Sequence, residues 1–165
     1  VGASTAVQWP VGTGGKGNEG VASYVQRIKG SIGYVEYAYA LQNKMNYVQL
    51  KNRDGNFVKP DADNFKAAAA NAKWDANKGF YEILTNEPGK DSWPITGATF
   101  ILVYKAQEDA DKAREVLKFF DWAYTNGDKM ASDLDYIPMP DNVVKMISDS
   151  WKKQIKDSKG NAIWK

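Results

Sequence analysis

Neither cysteine nor histidine occurs among the 165 residues of this chain. For these residues a Ser-His-Asp triad, a cysteine nucleophile and the usual zinc site are therefore excluded. A disulfide framework is equally excluded, so packing alone must hold the fold. Arginine is scarce and confined to Arg27, Arg53 and Arg114. Long apolar runs are missing too: none approaches the roughly 18 residues that cross a bilayer as a helix. The sequence opens at Val1 with neither an initiator Met nor the charged, apolar and small-residue order of a signal peptide, so a processed protein or a piece of one is expected. Absence of cysteine suits a periplasmic protein without disulfides as well as a cytosolic one.

What is present is the balance of a globular protein, 43% hydrophobic and 25% charged. The length suggests one domain of ordinary size. Lys and Arg number 22 against 20 Asp and Glu, a net charge of +2. The basic residues are spread along the chain, which argues against a nucleic-acid surface, where they would gather on one face. Six Trp and nine Tyr point to large buried rings or an aromatic interaction surface.

Residues 6–11 read as a short strand confined to an edge by Pro10. A glycine-rich turn follows, then a helix with Asn18 as N-cap, Val21, Val25 and Ile28 at helical spacing, and Gly30 as its stop. Residues 32–37 read as a second strand, giving a β-α-β unit and, by default, a parallel sheet. Residues 47–59 predict a hairpin around a two-residue Asp54-Gly55 turn. Asp61 should cap an alanine-rich helix whose small face (Phe65, Ala68, Ala69, Ala72) packs close against a sheet. Residues 80–84 read as a strand, and the apolar residues 99–104 as a strand buried on both faces. Ala113, Val116, Leu117, Phe120 and Tyr124 form a helical stripe that ends at Gly127. Val144, Ile147, Trp151 and Ile155 mark a final helix, followed by ten polar residues ending in Ile163-Trp164. The predicted class is α/β.

Few groups could carry chemistry. Gly12-x-Gly14-x-x-Gly17 has the letters of a dinucleotide fingerprint, but the preceding strand contains a proline and Glu36 lies beyond the usual distance for the ribose acid, so a structural turn is favoured. Asn18 after Gly17 excludes a phosphate loop of the Walker type. Asp133 and Asp135 would point the same way in an extended segment, as a paired-carboxylate hydrolase or calcium loop requires; capping and solvation are the favoured reading. Tyr34, Tyr37 and Tyr39 could stack on a sugar and are read instead as core. Lys152, Lys153, Lys156 and Lys159 belong to a solvated helix face. Read alone, these residues define no catalytic constellation.

Several segments together resemble the binding proteins of phosphate-specific ABC transporters. They are Trp9-Pro10-Val11-Gly12-Thr13-Gly14-Gly15-Lys16-Gly17-Asn18-Glu19-Gly20, Gly33-Tyr34-Val35-Glu36-Tyr37-Ala38-Tyr39-Ala40, Trp93-Pro94-Ile95-Thr96 leading into Thr99-Phe100-Ile101-Leu102, Val116-Leu117-Lys118-Phe119-Phe120-Asp121-Trp122-Ala123-Tyr124, and Asp133-Leu134-Asp135-Tyr136. They follow the family's order and spacing across essentially the whole chain. The resemblance implies an α/β periplasmic-binding-protein-like fold of type II, whose two lobes close on inorganic phosphate and present it to an inner-membrane permease. It implies a binding protein without enzymatic activity or cofactor, located in the periplasm.

The chain is similar to the C-terminal half of that family. Residues 1–97 would belong to the second lobe, and residues 98–165 would return to complete the first. The family holds phosphate with helix N-terminal amides, hydroxyls, an aspartate and the arginine of an Arg-x-Asp-x-Ser-Gly-Thr motif. None of Arg27, Arg53 and Arg114 begins that motif, and Gly12-Thr13 is not its Ser-Gly-Thr. No phosphate-contacting residue is therefore assigned within this chain; those groups are expected in an N-terminal half against which it packs. Two alternatives stand beside this reading: a secreted phosphate-binding-like protein with phosphatase activity, and a receptor for another oxyanion such as sulfate or molybdate.

Overall fold

The first helix is preceded by a bent, unpaired segment, not by the expected strand. The computed structural model describes residues 1–4 and 6–165. Within residues 6–16 Pro10 lacks an amide donor and Gly12 is left-handed (φ +106°), so no ladder forms. Helix α1 (Gly17–Arg27) starts at Lys16, which makes no side-chain cap. The expected cap, Asn18, lies inside the helix and its Oδ1 accepts the Glu36 amide at 3.0 Å. Gly15 is where glycine is required for space, because a Cβ there would collide with the backbone of Gly20 and Val21.

Residues 32–36 are extended but unpaired, and Tyr37 opens a helix, α2 (Tyr37–Gln42), where the strand was predicted to end. The β-α-β unit is thus absent. In its place the Asn18 bond to Glu36, the residue capping α2, joins the two helices. A second tie runs from Tyr39 Oη to Glu19 Oε1 at 2.9 Å. These elements form one compact unit, Val1–Tyr47, with Ala22 and Ala38 buried.

The second unit, Val48–Lys165, begins with the hairpin β1 (Leu50–Lys51) and β2 (Phe57–Val58). Leu50 stands opposite Val58 and Lys51 opposite Phe57. The turn is longer than the predicted two residues. Asn52 donates its amide to Asn56 O (2.8 Å), Gly55 donates to Asn52 O (3.0 Å), and Gly55 has φ +89°, a three-residue loop with left-handed glycine. Helix α3 (Ala62–Asn71) is capped as expected, Asp61 accepting the Asn64 amide at 3.0 Å. It meets a loop, not a sheet: the Phe65 and Trp93 rings lie 6.1 Å apart and Trp93 donates its amide to Asn64 O at 3.0 Å. The predicted strand at residues 80–84 is absent. Phe80 is left-handed (φ +58°) after the short 3-10 turn Ala76–Lys78, and pairing is limited to an isolated Thr85–Ile95 bridge.

A parallel pair does occur, further along. β3 (Ala106–Gln107) lies beside β4 (Lys156–Asp157), connected through α4 (Ala110–Asn126), α5 (Asp128–Asp133) and α6 (Asp141–Gln154). Asp109 caps α4 by accepting the Lys112 amide at 2.9 Å, and Gly127 ends it by donating to Ala123 O at 2.8 Å. Ala113, Leu117, Ile155 and Ile163 form the core, with Val103, Ala110, Trp151 and Trp164 packed on it. Trp151 meets Tyr124 at 6.2 Å and Trp164 at 5.8 Å. The predicted stripe of α6 missed Val143, its most buried residue. The polar tail is folded, not loose: Asp157 accepts from the amides of Lys159 and Asn161 and from Asn161 Nδ2, setting Ile163 inward.

The class is mixed helix and strand, but one expectation fails conspicuously. Residues 99–104 form no ladder, and Leu102 is 94% and Tyr104 84% exposed. The whole chain exposes 11982 Å². A compact monomer of this mass exposes about 8,200 Å², and two separate compact bodies of about 5 and 13 kDa together about 9,700 Å². Burial is therefore thin and concentrated in few residues. Leu117→Ala, at a side chain 1% exposed, is expected to lose about 3 kcal/mol, read as a lower denaturant midpoint at unchanged slope.

Candidate functional site

An anion needs free backbone amides, hydroxyls or unpaired cations, and helix N-termini supply amides with a favourable dipole. In this chain the first turn of each longer helix already carries a carboxylate: Glu19 in α1, Asp63 in α3, Asp111 in α4 and Asp141 in α6. Asp61 and Asp109 add capping carboxylates at α3 and α4. Such residues stabilise the helix and repel a second anion at the same place.

The glycine-rich loop runs directly into α1, with Gly17 as the first helical residue (φ +66°). Among the described residues no strand precedes it, and Glu36 stands at the N-cap position of α2, so neither feature of a dinucleotide fingerprint is found there. Glu19 occupies the helix start. Its carboxylate is held below the ordinary 4.5, first by its own backbone amide and then by the Tyr39 hydroxyl.

Asp133 and Asp135 do not form a carboxylate pair in an extended segment. Asp133 ends α5 and takes Lys129 Nζ at 2.8 and 2.6 Å, while Asp135 is left-handed (φ +63°). Among the described residues no group of three or more acidic side chains could hold a metal ion. The three tyrosines also part company. Tyr34 is 76% exposed, Tyr37 meets Tyr47 edge-on at 6.1 Å, and Tyr39 bonds Glu19. Reading all three as core fails at Tyr34, which lies on the unpaired segment. Lys152 and Lys153 fill the last turn of α6, where positive charge suits the helix end, and Lys156 reaches back to Lys152 O at 3.4 Å. Arg114 pairs with Asp111 at 2.7 Å, Arg27 lies in the last turn of α1, and Arg53 sits in the hairpin loop.

The best-built polar centre escaped the sequence reading. Asn52 is 6% exposed, and its Nδ2 points at Gly89 O (3.1 Å), Lys90 O (2.8 Å) and Ser92 O (3.3 Å). With two hydrogens for three carbonyls, the longest contact is shared. Its Oδ1 accepts the Asn56 amide, and Asp54 accepts the Gly89 amide at 3.1 Å. Asn71 Nδ2 reaches Ser92 Oγ, whose hydroxyl donates to Pro88 O at 2.6 Å. The Asn52 amide group and the Ser92 hydroxyl are spent on the chain itself, so this centre locks the hairpin to the loop at 88–93. Only the Asp54-Gly55 turn hinted at it, and nothing in spacing ties Asn52 to residues some forty positions away.

No protein-family model matches the chain. Similarity to curated proteins is extensive. The chain is 54% identical over 156 residues, 94% of its length, to the phosphate-binding protein PstS of Xylella fastidiosa (strain 9a5c), of which it spans 43%. It is 51% identical over 164 residues, 99% of its length, to the PstS of Pasteurella multocida, spanning 48% of it. Identity to the Haemophilus influenzae PstS is 51% over 156 residues, 47% of that protein. Along nearly its whole length the chain is thus similar to proteins named phosphate-binding protein PstS, and it spans about half the length of the curated relatives it matches.

Two outcomes follow. Glu19 titrates lower when folded, so its contribution to stability is complete above about pH 4.5 and is lost as pH falls through its lower folded value. Glu19→Gln should flatten that dependence for the amides of α1, measured by hydrogen exchange between about pH 3 and 6. Asn52→Ala should cost about 1–3 kcal/mol of unfolding free energy, because buried carbonyls lose their donor.

Proposed function

We propose that this chain is one portion of the substrate-binding component of an ABC importer, a two-lobed type II receptor that captures inorganic phosphate and delivers it to a membrane permease. Supporting this are the three relatives named phosphate-binding protein, each matched along 94% or more of this chain. The receptor acts in the periplasm; among the described residues no helix is long and apolar enough to cross a membrane. Residues 1–97 contribute to the second lobe and residues 98–165 complete the first. The function is reversible binding without covalent turnover.

The phosphate-contacting groups lie in the remainder of the protein, its N-terminal half. The observation that supports this reading is the acidic start of each longer helix, which disfavours an anion there, together with the internal hydrogen bonds of the buried Asn52. Calorimetric titration of the complete protein tests the whole reading. Phosphate should bind saturably, one per molecule, with a dissociation constant of about 1 µM or below, and sulfate at least about a hundredfold more weakly. Release of phosphate from an ester by the same preparation would favour the phosphatase alternative, and preference for sulfate or molybdate the other-oxyanion one. Titrated alone, this chain should give no saturable heat with phosphate; a stoichiometric signal would contradict the placement of the site.

A further inference from the structure

Glycine follows an aspartate or asparagine at two places in the chain, Asp54-Gly55 and Asn126-Gly127. Without a Cβ on the following residue, its backbone nitrogen can approach the preceding side-chain carbonyl carbon, and a five-membered imide closes most readily there. By residue type Asn126-Gly127 is the faster step, since an amide releases ammonia more readily than a carboxylate releases water. The structure reverses that order.

Asn126 ends α4, and its Nδ2 donates to Trp122 O at 3.0 Å. The Gly127 nitrogen donates to Ala123 O at 2.8 Å, and a Cβ on Gly127 would collide with that oxygen. Gly127 O in turn accepts the Ala131 amide at 2.9 Å, so α4 and α5 hold the step from both sides. Freeing this nitrogen requires unwinding the end of one helix and the start of the next. Asp54 and Gly55 are both exposed, and Gly55 is left-handed (φ +89°). Space at Gly55 is open apart from the Lys51 side chain, 3.8 Å from where a Cβ would sit. One hydrogen bond holds its nitrogen, to Asn52 O at 3.0 Å, and opening one such bond at a loop tip slows attack by only about fivefold. The Gly89 amide donates to Asp54 Oδ2 at 3.1 Å and polarises the carbon under attack. Gly89 is fixed in place, because a Cβ there would collide with Asn71 and Ser92.

We propose that Asp54 is a site of spontaneous aspartate isomerisation, while Asn126 is held inert. The Gly55 nitrogen attacks Asp54 Cγ. An N–Cγ bond forms, the Cγ–O bond breaks, and that oxygen leaves as water with the amide and carboxyl protons. Water then opens the succinimide. Addition at Cγ restores aspartate, whereas addition at the Asp54 main-chain carbonyl breaks its bond to the Gly55 nitrogen and routes the chain through Cβ and Cγ. The product is an isomer of unchanged mass, and no oxidant or cofactor takes part. It lengthens the loop by a methylene and displaces the carboxylate from the Gly89 amide, loosening the hairpin tip from the loop at 88–93. This chemistry is independent of phosphate binding.

The complete protein, aged at neutral pH, is digested and mapped for isoaspartate and deamidated asparagine beside unstructured peptides spanning residues 50–58 and 122–130. Asp54 should isomerise within about tenfold of its peptide rate, and Asn126 should deamidate at least about a hundredfold more slowly than its own. Slower reaction at Asp54 or faster reaction at Asn126 than these bounds overturns the proposal. Asp54→Asn places the same Asn-Gly chemistry at both positions, and position 54 should then react at least about tenfold faster than Asn126 in the same molecules. Equal rates in that variant also overturn it. If Asp54→Asn does not fold, the two rates in the unaltered protein decide alone.

Discussion

The second unit depends on one contact, the seating of Leu117 and Ala113 from α4 against Ile155 and Ile163 beside the parallel β3–β4 pair. Two strand residues on each side cannot hold such a pair by hydrogen bonds alone, because each bond is worth only about 1 kcal/mol net. Burial of Leu117 and Ile155 gives the crossover its anchor. The Asp157 turn then folds Ile163 back onto the same cluster, so the last residues of the chain close the core that α4 opens. Asn52 performs the matching task at the other end of the unit, where polar atoms, not apolar ones, fasten the hairpin to the loop at 88–93.

Helices were legible in the sequence because their signals are local. Asp61 sits where its carboxylate meets the amide three residues on, and the expected cap forms; Asp109 caps α4 in the same way without having been read as a cap. The α4 stripe reads correctly at Ala113 and Leu117, although Val116 stays open to the groove. Strands were poorly legible for the opposite reason, since a strand exists only with a partner. Residues 6–11, 32–37 and 80–84 have strand-like composition, yet they lie unpaired or break at a left-handed residue such as Phe80. At residues 99–104 the sequence records apolarity on both faces, while within this chain Leu102 and Tyr104 stay almost fully exposed. There the pattern describes an environment that these residues do not themselves supply.

The candidate site follows the same division. Carboxylates and glycines could be counted from the sequence, but their commitments could not. Glu19 is spent on Tyr39 and on its own amide, Asp133 on Lys129, and Arg114 on Asp111. The lack of histidine and cysteine, which removes most catalytic chemistry, leaves anion binding untouched, because amides, hydroxyls, carboxylates and guanidinium groups suffice for it. On the proposed function, the acidic helix starts make this chain a scaffold for the anion site and not its holder. The proposed function gives the exposed apolar residues and the acidic helix starts a common explanation.

A crystal structure of the complete protein with phosphate bound tests that explanation most directly. It should show phosphate held without a side-chain contact from any residue of this chain. Phosphate seated on side chains of this chain would contradict the account.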